Sequence, residues 1–159
     1  MNFDTRYLYI ILGLIVIMNL FSGSFDILGV LLTLPGVLVA ITFHEYAHAL
    51  AAYKLGDDTP KVQGRLNLNP LTHLDPIAVV LLVFTHIGWG KPVEINPNNF
   101  DRKISARAGE AIVAAAGPIM NILLAFVIAI IFYALQVFAT GFAIGTQTGM
   151  IIMTMLQYA

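Results

Sequence analysis

The stretch ILGVLLTLPGVLVAITFHEYAHALAAY, Ile27 to Tyr53, decides how this chain is read. It is an apolar run long enough to cross a bilayer, and it carries His44, Glu45 and His48 in its second half. On a helix, residues four apart stand one above the other, so both imidazoles reach a single metal ion. Glu45 then lies beside that face, placed to take a proton from a water whose pKa the metal has lowered. Two histidines and a glutamate at this spacing are the kernel of zinc-dependent peptide hydrolysis. The bland alternative is a satisfied polar patch in a helical core. Ionisable residues are costly at membrane depth and mark function by default, which favours the metal.

Working outward, the rest of the chain is equally apolar. Of its 159 residues 58% are hydrophobic and 11% charged, and the mean hydropathy is +0.84. That composition excludes a soluble domain and implies one integral membrane domain over residues 1–159, built as an all-α helix bundle because lipid offers the backbone no hydrogen-bond partner. A net charge of −1 carries no nucleic-acid signal. With no cysteine there is neither disulfide nor thiolate ligand, so any zinc is held by His, carboxylate or water.

Tyr7 to Phe21 reads as a short first membrane helix, since no small-residue cleavage site follows it. Ser22-Gly23-Ser24 turns the chain into the second span, which runs from Ile27 to about Leu55 with a kink expected at Pro35-Gly36. Ala111 to Ala139 is long enough to cross with tilt, and Phe142 to Tyr158 begins another crossing. Ile77 to Trp89 is too short for an ordinary span. Charge placement addresses it: if this piece dips in and returns, Arg6, Lys54, Lys61, Arg65, Lys91, Arg102, Lys103 and Arg107 all lie on one side, as cytoplasmic Lys and Arg do. A re-entrant segment, or one buried against the bundle, is therefore expected, with the metal motif toward the cytoplasmic end of its helix. Arg65 to Asn69 and Val93 to Asn96 alternate polar with apolar residues, each ahead of a proline, and predict a short β-hairpin on the cytoplasmic side. Its edge would either hold an extended substrate or simply cap the membrane face.

Four motifs together resemble the site-2 protease family, in its compact prokaryotic-type branch: His44-Glu45-Tyr46-Ala47-His48-Ala49; Gly64 to Pro76; Gly88-Trp89-Gly90-Lys91-Pro92-Val93; and Gly117-Pro118-Ile119-Met120-Asn121. The resemblance covers nearly the whole chain. It implies an intramembrane zinc metalloendopeptidase of a prokaryotic cell membrane that cuts membrane proteins within or near the bilayer. His44 and His48 would be zinc ligands, Glu45 the catalytic base, and Asn121 would lie near the substrate path. Read on its own, Asn121 is an amide at lipid depth that bonds a substrate backbone or glues two helices. Gly117, beside Ala114, Ala115 and Ala116, gives the zinc helix a surface for close approach.

A catalytic zinc takes three protein ligands and the motif supplies two. In the family the third is an Asp on a later helix, whereas no Asp, Glu, His or Cys follows Glu110 here. The expectation is a C-terminally incomplete version of a longer protease. The rival is that Asp75 completes the site, against a plain role as a turn residue capping the segment that begins at Pro76. His73 and His86 are expected as interfacial histidines, Trp89 as an interface anchor, and Asp57-Asp58 as a solvated turn. Two other functions stand beside the protease: metal binding or transport through the membrane, and a catalytically incomplete pseudoprotease.

Overall fold

The computed structural model describes residues 10, 13–18, 21, 26–85 and 88–157. Seven of the fifteen residues of the expected first helix, the Ser22 to Ser24 turn and His86 lie outside the described residues, while residues 13–18 are helical.

Two long helices organise the molecule, α1 (Ile27–Lys54) and α5 (Ala106–Phe138). Both are long and apolar enough to cross a membrane. At 1.5 Å per residue they reach about 42 and 50 Å, against a hydrocarbon core of about 30 Å. Asp26 starts α1 by accepting from the Gly29 amide at 2.9 Å. Pro35 sits inside the helix without ending it, and Gly56, at φ +104°, turns the chain out beyond Lys54 in a left-handed conformation that suits glycine. Ser105 caps α5, and Pro118 is carried within it.

Between the two helices run the short α2 (Thr59–Val62), α3 (Pro70–His73) and α4 (Pro76–Thr85), then a 3₁₀ turn at Pro97–Asn99. After α5 come α6 (Thr140–Ala143) and α7 (Gln147–Gln157), the latter packed on both long helices. α4 is about 15 Å long, too short to cross, as expected for Ile77 to Trp89. It buries Ala78 and Leu81, and its Leu82 faces Val30, Leu34 and Val37 of α1 across a small cavity.

The predicted β-hairpin does not form. No strand occurs among the described residues, and the one isolated antiparallel bridge found among them, between Leu74 and Gly90, lies outside both segments. The polar half of each alternation is used differently. Asn67 Oδ1 accepts from the Asn69 amide at 2.7 Å and the Thr72 hydroxyl at 3.0 Å. Asn69 Oδ1 caps α3 through the Leu71 amide at 3.1 Å, and Asn96 Oδ1 caps the 3₁₀ turn through the Asn98 amide at 3.2 Å. Asparagine side chains that bond nearby amides compete with a strand ladder, and here they win. What joins the two segments is a buried side chain: the Arg65 guanidinium donates to the carbonyls of Thr72 and Pro92.

Two ties hold this connecting layer, one against α1 and α5 and one within the layer itself. Phe100 packs between Ala52 of α1 and Val113 of α5 and lies so close to Gly109 that any side chain there would meet its ring. Asp57, fully buried, accepts from the Thr59 hydroxyl at 2.6 Å, the Thr59 amide at 3.1 Å, the Asn96 amide at 2.7 Å and Asn99 Nδ2 at 2.9 Å. Burial alone would raise the Asp57 pKa, but these donors outweigh it and hold the carboxyl below its ordinary value. The solvated turn expected at Asp57-Asp58 is thus a buried tie at Asp57, and only Asp58 is exposed.

Candidate metal centre

The helical spacing does what the sequence required of it. His44 and His48 stand on one face of α1 with ring centroids 4.7 Å apart and planes at 80°. Opposite them α5 runs antiparallel and presents Val113, Gly117 and Asn121, four residues apart along one ridge. His48 Nδ1 lies 2.6 Å from the Val113 carbonyl oxygen. A carbonyl only accepts, so Nδ1 carries the proton and Nε2 of the neutral ring is left with its lone pair. His44 Nδ1 lies 3.1 Å from the Asn121 amide.

Gly117 occupies the centre. A Cβ placed on it would fall within 2.6 Å of the Nε2 atoms of both histidines. The two ring nitrogens therefore converge on one small space that exists because residue 117 has no side chain. A pair of imidazole donors facing a common gap suits zinc. His44 and His48 are the residues that would hold it. Among the described residues no third His, Cys, Asp or Glu joins them.

Asp75 is used elsewhere. Its Oδ1 accepts from the amides of Ile77 at 2.8 Å and Ala78 at 3.1 Å and so caps α4, which is the plain reading of an Asp before Pro. His73 is not interfacial: it is fully buried, with Nε2 donating to the Asn67 carbonyl at 2.8 Å. It lies near Glu45, as does Arg65.

Glu45 is buried and backs onto the connecting layer. A Cβ on Gly90 would come within 2.5 Å of Glu45 Oε1 and 2.7 Å of its Cγ, and the Val93 amide faces the carboxylate. Gly90 thus does for Glu45 what Gly117 does for the two histidines. The two glycines lie in quoted motifs, but only Gly117 was readable as a point of close approach; nothing local to Gly90 marks Glu45 as its neighbour. A cavity of about 490 Å³ opens here, walled by His44, Glu45, Gly88, Trp89, Gly90 and Asn121 among others. Trp89, expected as an interface anchor, is half exposed and forms part of that wall.

Two imidazoles converging on one gap, with a buried carboxylate between them in sequence and a cavity at their side, are the elements of a metal-dependent hydrolase site. The comparisons agree. Over 91 residues the chain is 45% identical to "Putative zinc metalloprotease YwhC" of Bacillus subtilis (strain 168), a match covering 57% of this chain and 40% of that protein. Over 101 residues it is 32% identical to "Putative zinc metalloprotease Rip2" of Mycolicibacterium smegmatis, covering 60% of this chain and 37% of the relative. The chain therefore matches less than half the length of either. Both relatives are named "Putative zinc metalloprotease", in keeping with the resemblance carried by the four motifs. No family model and no solved structure matches the chain.

Proposed function

We propose that this protein is a multi-pass, membrane-embedded zinc endopeptidase of a prokaryotic cell membrane, acting on membrane-protein substrates. The observation that carries the reading is the joint placement of His44, His48 and Glu45: two ligand nitrogens on one gap, with the base against a cavity large enough for a short length of peptide. The lengths of α1 and α5 support a membrane setting. Lys54, Lys61 and Arg65, just beyond the motif, support placing it toward the cytoplasmic face.

Zinc, when bound by His44 and His48, supplies Lewis acidity and acidifies a water. Glu45 accepts the proton of the attacking water and returns it to the leaving amine nitrogen. Gly90 leaves the carboxylate room, while the amide of Val93 and the buried Arg65 and His73 fix its surroundings. The low-dielectric wall of α1 and α5 strengthens each of these interactions.

The test is zinc content together with cleavage of a model transmembrane substrate by the purified protein, beside Glu45→Gln. Both proteins are expected to bind one zinc, with cleavage falling by about 10²- to 10⁴-fold in the variant. Cleavage that survives Glu45→Gln removes the assigned base. A second reading, metal binding without hydrolysis, is favoured by the absence of a third ligand among the described residues. Zinc bound with no cleavage by the unaltered protein would establish it.

A further inference from the structure

We infer that Asn121 is a positioning residue for His44: its side-chain carbonyl accepts the Nδ1 proton and so turns the Nε2 lone pair toward the metal gap. The inference rests on the zinc reading above and gives Asn121 a role distinct from contact with substrate.

Three observations carry it. First, the Asn121 side chain lies 3.1 Å from His44 Nδ1, while its other amide atom is buried with no hydrogen-bond partner. The two atoms of an amide are interchangeable by a half-turn, so the pairing is decided by chemistry. With nitrogen toward the ring, Nδ1 accepts and a hydrogen on Nε2 fills the gap at Gly117. With oxygen toward the ring, Nδ1 donates and the gap receives a lone pair. Either way one amide atom stays unpaired, so hydrogen-bond satisfaction does not choose between them. Second, His48 is already fixed in the donating sense, because the Val113 oxygen 2.6 Å from its Nδ1 can only accept. Third, both Nε2 atoms face the same space above Gly117. A hydrogen on one and a lone pair on the other would leave half a site, whereas two lone pairs make a complete pair of donors.

The ridge Val113, Gly117, Asn121 thus works as a ruler. Its ends, about 12 Å apart along α5, hold the two Nδ1 atoms from outside, and its middle leaves the two Nε2 atoms room between them. Outer groups that fix a ligand histidine in this way are commonly worth ten- to a hundredfold in metal affinity.

The experiment uses the full chain in detergent with ¹⁵N-labelled imidazoles, read by nuclear magnetic resonance without zinc, then by zinc titration against a chelator. The His44 signals are assigned by their absence in His44→Gln. In the metal-free protein His44 is expected to carry its proton on Nδ1. Asn121→Ala is expected to lose that preference and weaken zinc about 10- to 100-fold. Asn121→Asp, which can only accept, is expected to keep both within about threefold of the unaltered protein. A proton on His44 Nε2 in the unaltered protein overturns the inference. So does Asn121→Asp weakening zinc as much as Asn121→Ala, or Asn121→Ala raising KM alone with zinc affinity unchanged. Failure of the unaltered protein to take up zinc, with the Nδ1 proton in place, would refute the metalloprotease reading and leave the positioning role standing.

Discussion

The helix pair α1 and α5 and the connecting layer between Asp57 and Asp101 are stabilised by different means. In the pair, the groups that matter repeat every four residues: His44 and His48 on one side, Val113, Gly117 and Asn121 on the other. In the layer they are single side chains reaching far along the chain: Asp57 to Asn96 and Asn99, Arg65 to Pro92, Glu45 to the backbone at Gly90 and Val93. Periodic geometry is written locally in a sequence, whereas a long-range tie is known only after the fold has formed. The contrast also divides the candidate site from its support, since the pair aims His44 and His48 and the layer closes over Glu45.

One substitution, made twice on α5, tests that division most sharply. Gly117→Ala puts a methyl within 2.6 Å of His44 Nε2 and closer to that of His48. The rings cannot swing aside without breaking the bonds from their Nδ1 atoms to Asn121 and Val113. Zinc affinity is expected to fall on the order of 100-fold, about 3 kcal/mol, with the fold retained. Gly109→Ala, two turns earlier, meets the Phe100 ring instead. It is expected to cost about 1–3 kcal/mol of stability by overpacking and to leave zinc affinity unchanged. Thermal unfolding and chelator competition on the two variants separate the outcomes. If Gly109→Ala loses zinc as fully as Gly117→Ala, the pair and the layer are one unit and the division fails.

Asp57 probes the layer alone. Replacing it with Asn exchanges an acceptor-only carboxylate, ringed by four donors, for a group that brings donors of its own. A loss of about 2–3 kcal/mol is expected. Because the Asp57 carboxyl is held below its ordinary pKa in the folded protein, its contribution is present above the unfolded value near 4. It drains away as pH falls through the lower, folded value. The unaltered protein should therefore lose stability on acidification more steeply than Asp57→Asn does, measured by unfolding in detergent between pH 6 and pH 3. Parallel curves would mean that the carboxylate is not the tie.

What was legible follows the same line. The two long helices, the convergence of His44 and His48 on one face of α1, the Gly117 approach and the shortness of Ile77 to Trp89 all follow from apolar runs and helical spacing. The strands at Arg65 to Asn69 and Val93 to Asn96 were misread because alternation records side-chain polarity but not what each polar group bonds. Asn67, Asn69 and Asn96 spend theirs on neighbouring amides, and Arg65 on distant carbonyls. His73 and Asp57 were misplaced at the surface for a related reason: a polar residue in a polar stretch gives no local sign that the fold will bury it.

The smallest expected effect decides the most contested residue. Asp75 is the rival third ligand that the sequence offers, yet its Oδ1 is already shared between the amides of Ile77 and Ala78 at the start of α4. As a cap it is worth about 1 kcal/mol, so Asp75→Ala should lower stability by that amount while zinc affinity stays within about threefold. As a ligand it would be worth far more, and its removal would cost zinc affinity at least as much as Gly117→Ala does. Asp75→Asn sharpens the difference, since an asparagine still caps through its side-chain oxygen but offers a metal no charge. Full stability together with lost zinc in Asp75→Asn would transfer the residue from the connecting layer to the metal site, and would show that the layer supplies a ligand as well as the wall around Glu45.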